Sequence, residues 1–111
     1  MATLTRIPEN PILTPNPQNE WEKEAVFNGC VAFVDGVYHM VYRALSSKKM
    51  QNGVNMEVSS IGYAKSSDGI HFTDRRQIIA PTEDFEIYGC EDPRITYVDG
   101  KFYIFYTALS M

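Results

Sequence analysis

The sequence predicts an all-β fold of propeller type, one four-stranded antiparallel blade followed by the first hairpin of the next. Three observations carry that prediction: strand-forming runs follow one another from Ala25 onward, Asp-Gly pairs punctuate them, and one stretch recurs after 64 residues. Val31 to Ser46 (VAFVDGVYHMVYRALS) lies without a gap over Ile95 to Ser110 (ITYVDGKFYIFYTALS), with seven of sixteen positions identical. A repeat that contains four antiparallel strands is the sequence mark of a propeller blade, here with longer loops than the usual blade of ~40–50 residues.

The elements follow in order. Residues 1–24 hold four of the six prolines, with Asn10, Asn16 and Asn19 between them. Proline fixes φ and lacks an N–H, so this stretch is expected to be extended coil. The first blade is expected over 25–87. Val31–Val34 and Val37–Tyr42 flank Asp35-Gly36, a pair that accepts the positive φ angles of a tight hairpin turn. The polar stretch Ser46–Asn55 reads as a long exposed loop that covers or borders a site. Val58–Lys65 and Ile70–Ile79 form a second hairpin about Asp68-Gly69, completing a meander, and Pro81–Ile87 reads as a loop. The second blade opens over 88–111, with its own turn at Asp99-Gly100.

Propellers close with roughly four to eight blades, and a repeat unit needs neighbours to cover its faces. A chain of 111 residues is therefore expected to be a piece of a longer protein, or else to associate as a homo-oligomer or with a complementary chain. A free-standing six-stranded antiparallel domain is the plainer alternative.

Composition narrows the functions. Apolar residues make up 44% and aromatic ones 13% of the chain, enough for a core and too much for disorder. Ten Lys plus Arg against fourteen Asp plus Glu leave a net charge of −4, which offers no basic field to nucleic acid or anionic lipid. No apolar run is long enough to cross a bilayer, and Met1–Pro11 lacks the apolar stretch of a signal peptide; a cytoplasmic location follows as the expectation. Cys30 and Cys90, with no CxxC spacing and with His39 and His71 far apart in sequence, suggest reduced structural thiols and no metal site.

The turns also place polar residues. With two-residue turns, Asn28 is expected opposite Arg43 and Asp92 opposite Thr107, and Asp92 is the repeat counterpart of Asn28. The inner strands of successive blades start at one mouth of the central channel, so Asn28, Arg43 and Asp92 are expected to line one funnel. Pro93 biases Asp92 to an extended backbone and suits a strand start, although a lone Asp-Pro is more often a simple turn or strand entry. Adjacent carboxylates in a cleft oppose each other's ionisation, and glycosidic cleavage asks for an acid that is still protonated. Because successive strand residues face opposite ways, only one of Glu91 and Asp92 is expected to enter the funnel. Arg43 offers a rigid fork of donors for sugar hydroxyls or an anion, or else is an exposed strand-end charge. Tyr88 either stacks on a sugar or packs between blades. His39 reads as packed, His71 as a surface residue, and Lys65–Gly69 with Phe72 as a bracing turn.

Asn10-Pro11-Ile12-Leu13, Phe27-Asn28-Gly29, Tyr42-Arg43, Ser67-Asp68-Gly69 and above all Tyr88-Gly89-Cys90-Glu91-Asp92-Pro93-Arg94 together resemble the N-terminal part of glycoside hydrolase family 130, the β-1,4-mannoside and mannooligosaccharide phosphorylases. The Tyr-Gly-Cys-Glu and Arg-Ile flanks of Asp92-Pro93 distinguish it from other five-bladed families that place an Asp-Pro at an inner strand start. The resemblance implies a five-bladed β-propeller about three times this length, and inverting phosphorolysis of β-mannosides to mannose 1-phosphate. It makes Asp92 the catalytic acid, acting in part of the family through a hydroxyl of the bound mannose, and Asn28 and Arg43 ligands of the sugar beside the scissile bond. Gly29, Tyr88, Glu91 and Arg94, within or beside the same motifs, complete the expected substrate-binding set. No cofactor is implied: inorganic phosphate is the co-substrate and itself the nucleophile, and the main phosphate-binding residues would lie beyond Met111. Relatives without the phosphate site hydrolyse instead, so β-mannoside hydrolysis is one alternative, and a non-catalytic sugar-binding or assembling blade is the other.

Overall fold

The computed structural model describes residues 2–110; Met1 and Met111, which end the expected segments 1–24 and 88–111, lie outside the described residues. Strands β1 (Ala25–Val34), β2 (Val37–Leu45), β5 (Ser59–Ser66) and β6 (Thr73–Ile79) form one antiparallel sheet in that order. Strands β7 (Gly89–Val98) and β8 (Lys101–Leu109) form a two-stranded sheet, whose β7 packs against β1, β2 and β5. The β1–β2 and β7–β8 turns carry positive φ at both central residues, Asp35 and Gly36 in one and Asp99 and Gly100 in the other, as a two-residue turn of the primed type requires.

Between β2 and β5 the expected loop is instead a short hairpin, β3 (Lys49–Gln51) and β4 (Val54–Met56), turning at Asn52-Gly53 with φ of 49° and 81°. Asn-Gly turns tightly without strain, and that outweighs the polar flanks. The arm is tied down by Gln51, whose Nε2 donates to the carbonyl of Ile87 at 2.8 Å. The β5–β6 connection is wider than an Asp-Gly turn, and β6 begins at Thr73. Ser66 Oγ accepts the N–H groups of Asp68 and Gly69, while Asp68 Oδ1 accepts those of Ile70 and His71, so side chains replace the missing ladder bonds.

Alternation along β2 divides the core. Met40, Tyr42 and Ala44 pack with Ala64, Ile12, Leu13, Trp21, Val26 and Phe72 on one face. Val41 packs with Ile61, Cys90 and Ile95 on the other, against the second hairpin. Gly62 lets Tyr42 and Trp21 approach: a Cβ there would meet their rings at 2.5 Å and 2.8 Å. The two sheets are also linked where Ile95 N donates to Cys30 Sγ at 3.5 Å.

The observed repeat reaches further upstream than the visible sequence repeat. Two single 3-10 turns, Glu20–Glu22 and Asp84–Glu86, interrupt the expected coil and loop at equivalent places. Each ends on a buried glutamate. Glu22 accepts from the Tyr42 hydroxyl at 2.9 Å and Glu86 from the Tyr106 hydroxyl at 2.7 Å, so each glutamate anchors the entry segment to the second strand of its hairpin. Among the described residues no helix is long and apolar enough to cross a membrane.

Candidate active site

The site forms where β1 and β7 start, and a β-bulge in each shapes it. The expected pairings of Asn28 with Arg43 and Asp92 with Thr107 are corrected by one residue: Phe27 pairs with Arg43 and Glu91 with Thr107. Asn28-Gly29 and Asp92-Pro93 are the inserted pairs, each opposite a single residue of the partner strand. Asn28 and Asp92 have φ of 52° and 49°. Asp92 is thus left-handed, and the extended backbone expected from Pro93 does not occur. Asn and Asp are the side-chain-bearing residues best able to take that conformation, and non-glycine residues held there at a cost of ~1–3 kcal/mol concentrate at functional sites.

The bulge also breaks strand alternation, so Glu91 and Asp92 both reach Arg43, yet only Asp92 forms part of the cleft wall, in line with the expectation that one of the two would enter. Arg43 Nη2 lies 3.0 Å from Glu91 Oε2, and Nη1 lies 3.7 Å from Asp92 Oδ1. Asn28 Nδ2 donates to the same Asp92 oxygen at 2.7 Å. Arg43 Nε donates to Ser59 Oγ at 2.9 Å, and its guanidinium lies over the Phe27 ring, 4.9 Å from the centroid. The two carboxylates therefore meet a cation and an amide donor, and not each other alone.

Asp92 faces a cleft of about 410 Å³ whose walls are Asn28, Gly29, Cys30, Asp92 and Arg94. Its side chain is 45% exposed, against 18% for Glu91 and 21% for Arg43. Arg43 is not part of that wall and meets it through Asp92. Arg94 Nη1 donates to the carbonyl of Pro93 at 3.0 Å. Gly29 is confined by Met40, whose Sδ would sit 3.3 Å from a Cβ at that position.

Six of the seven expected residues therefore gather at the cleft or directly behind it. Tyr88 stands apart, its hydroxyl accepting from Asn52 Nδ2 at 3.0 Å on the β3–β4 arm. His39 is packed, with Nδ1 2.7 Å from the Tyr63 hydroxyl and its ring on Phe102. His71 is exposed and bound to Asp68 at 2.6 Å. Cys30 and Cys90 are both free thiols, and burial together with Glu86 and Glu91 pushes Cys90 up to about 12. Sequence reasoning missed Ser59 and the cleft-wall position of Cys30. Ser59 stands beside another serine and two residues before the pairing partner of Arg43, and only the β2–β5 register singles it out. Among the described residues no group of three His, Cys, Asp or Glu side chains is arranged to hold a metal ion.

Comparison with known proteins gives the family. A family model described as beta-1,4-mannooligosaccharide phosphorylase matches residues 3–111. The chain is 45% identical to a beta-1,2-mannobiose phosphorylase of Thermoanaerobacter sp. (strain X514), covering 96% of this chain and 37% of that one. It is 39% identical to a 1,2-beta-oligomannan phosphorylase of the same organism, covering 96% and 36%. Among solved structures, a glycosyl hydrolase from Bacteroides ovatus matches with a TM-score of 0.76 and 28% identity, over 93% of this chain and 33% of that one. The chain thus spans about a third of the length of the proteins it matches. It belongs to glycoside hydrolase family 130, and within that family's five-bladed β-propeller it forms one four-stranded blade and the first hairpin of the next.

Proposed function

We propose that this chain supplies the catalytic acid and the adjoining sugar contacts of an inverting β-mannoside phosphorylase. The observation that carries the reading is the meeting of Asn28 and Asp92, equivalent bulge residues of successive blades, at 2.7 Å on the wall of one open cleft with Arg43 behind them. In this reading residues 25–87 are the first blade, 88–111 open the second, and 1–24 lead in. A phosphate oxygen attacks the anomeric carbon of the mannosyl unit as its bond to the leaving oxygen breaks. Asp92 provides the proton that the leaving group takes up, directly or through a sugar hydroxyl. Because phosphate is itself the nucleophile, no second carboxylate is needed to activate water. Asn28, Gly29 and Arg94 hold the mannose from the cleft wall with Arg43 behind them, and Tyr88, bound to the β3–β4 arm, lies outside this set. Both Thermoanaerobacter relatives are named for β-1,2 linkages, so β-1,2-mannobiose is the first substrate to try, with the β-1,4 isomer beside it.

The test is mannose 1-phosphate release from each disaccharide in the active protein that carries this segment, wild type against Asp92→Asn. General acid catalysis is worth ~10²–10⁴-fold, and a loss of at least about a hundredfold is expected; undiminished turnover by the variant overturns the assignment. Hydrolysis is the second reading, favoured by the likeness to a protein named as a glycosyl hydrolase. Release of free mannose at the same rate with and without phosphate would establish it.

A further inference from the structure

We propose that Glu91 is a positioning residue: together with Ser59 it locks the guanidinium of Arg43 so that one edge stays turned to Asp92 at the cleft. The inference rests on the reading of Asp92 given above, and it moves Glu91 out of the set of sugar ligands. The three N–H-bearing corners of Arg43 have separate partners. Nε is bound by the buried Ser59 hydroxyl of β5 at 2.9 Å, and Nη2 by the Glu91 carboxylate of β7 at 3.0 Å. Only Nη1 is left toward Asp92, at 3.7 Å, longer than a direct hydrogen bond. The Phe27 ring lies against one face of the guanidinium. A guanidinium held at two corners and stacked on a third side has one orientation, and the rigid fork converts that into a fixed third corner.

The internal repeat argues that this lock serves the site and not the blade. The contact of Glu22 with Tyr42 recurs as that of Glu86 with Tyr106, as a structural device of the blade should. The Glu91–Arg43 pair does not recur: Phe27 stands in the first hairpin where Glu91 stands in the second, and Thr107 stands where Arg43 would. It occurs once, across the two hairpins, behind the carboxylate that faces the cleft. Glu91 does not form part of the cleft wall, and its carboxylate is engaged by Arg43.

Two measurements test the proposal and separate it from the functional reading. In the 15N-labelled chain, the Arg43 Hε signal of the wild type should be resolved and slow to exchange. Glu91→Gln, which keeps size and shape, and Ser59→Ala should each speed that exchange by about tenfold or more, with the backbone spectrum otherwise preserved. An Arg43 signal that exchanges equally slowly in both variants overturns the lock, whatever the enzyme does. In the active protein, Glu91→Gln should lower kcat by about ten- to a hundredfold, the scale of a small misplacement, with KM within about threefold, and Glu91→Asp should recover part of the loss. A rise in KM with kcat intact would make Glu91 a substrate contact and overturn the proposal. If Asp92→Asn proves harmless, the functional reading falls, and the exchange experiment alone still decides whether Arg43 is locked.

Discussion

The hairpin β1–β2 and the hairpin β7–β8 share a turn, a bulge, a 3-10 entry and a buried glutamate bound to a tyrosine, yet their surroundings differ. β2 is paired along its outer edge by β5 and buried on both faces, whereas β8 has no strand on its outer edge among the described residues. Val41 is fully buried, and its counterpart Phe105 is 71% exposed. Glu22 also receives the guanidinium of Arg75 from β6, at 3.1 Å, where the donors to Glu86 among the described residues are all neutral: the N–H groups of Thr82 and Glu83, the hydroxyls of Thr82 and Tyr106 and the thiol of Cys90. Turn, bulge and glutamate–tyrosine contact are thus local devices that form without outer strands, while burial and the cation come only with the complete blade.

The largest expected effect follows from that missing cation. Glu22→Gln leaves the part-buried Arg75 without its carboxylate, holding only the Thr14 carbonyl, and removing one partner of such a pair costs ~3–5 kcal/mol. Glu86→Gln abandons no cation and only exchanges charge-assisted bonds for neutral ones, at ~1 kcal/mol. Burial by itself would raise the Glu86 carboxyl, but the donors of Thr82, Tyr106 and Glu83 outweigh it and hold the group below the usual glutamate value. That contribution is present above the unfolded-state value and lost as pH falls through the folded one. Urea unfolding followed by Trp21 fluorescence compares the two variants. Equal losses would break the distinction between the hairpins at this point.

The same contrast explains how far the site could be read in advance. From Val31 to Ser46 the repeat is visible because turn and strand residues are themselves repeated. Upstream, the structural repeat continues through Glu22 and Glu86, but nearly every other residue there differs, and a single shared glutamate carries no signal until its burial is known. Asp35-Gly36 and Asp99-Gly100 brought Asn28, Arg43 and Asp92 to one place, since a turn sets register for the whole hairpin. The bulges lay beyond that rule. Asn28-Gly29 offers a hint of left-handed backbone, but Asp92-Pro93 argues the opposite way, and only the register of β7 with β8, in which Tyr106 alone stands opposite Asp92-Pro93, reveals the bulge. The β3–β4 arm was legible in Asn52-Gly53 and hidden by its polar flanks, which are polar because most of the arm is exposed.

Burial itself gives the next effect. Val41→Ala removes apolar volume from a closed core and should cost about 2 kcal/mol. Phe105→Ala, at the equivalent position of β8, should change stability by less than about 0.5 kcal/mol, as exposed substitutions do. The unfolding midpoints of the two variants check this directly. A large loss at Phe105 in solution would mean that the face of β8 is covered there, by a second copy or by a further segment, and the difference between the hairpins would shrink accordingly.

The smallest effect concerns alkaline pH, and here the second hairpin should be the more sensitive. Its Cys90 replaces the Val26 of the first blade and is held up to about 12 by burial and by Glu86. Tyr106 is likewise pushed up to about 12, by its bond to Glu86. A group whose folded value is raised keeps its proton longer in the native state, so unfolding releases protons and stability falls as pH rises above the unfolded value. For the thiol that window opens near 9 and closes near 12, and by pH ~9.5 the loss should reach about 1 kcal/mol, within the limit of ~1.4 kcal/mol per pH unit for one proton. Cys90→Val gives the second hairpin the residue of the first and should remove that part of the decline, leaving Tyr42 and Tyr106 to act at higher pH. Urea midpoints at pH 7.5 and 9.5 decide the matter: an unchanged slope in Cys90→Val would assign the alkaline sensitivity to the tyrosines, which both hairpins share, and so would remove it from the differences between them.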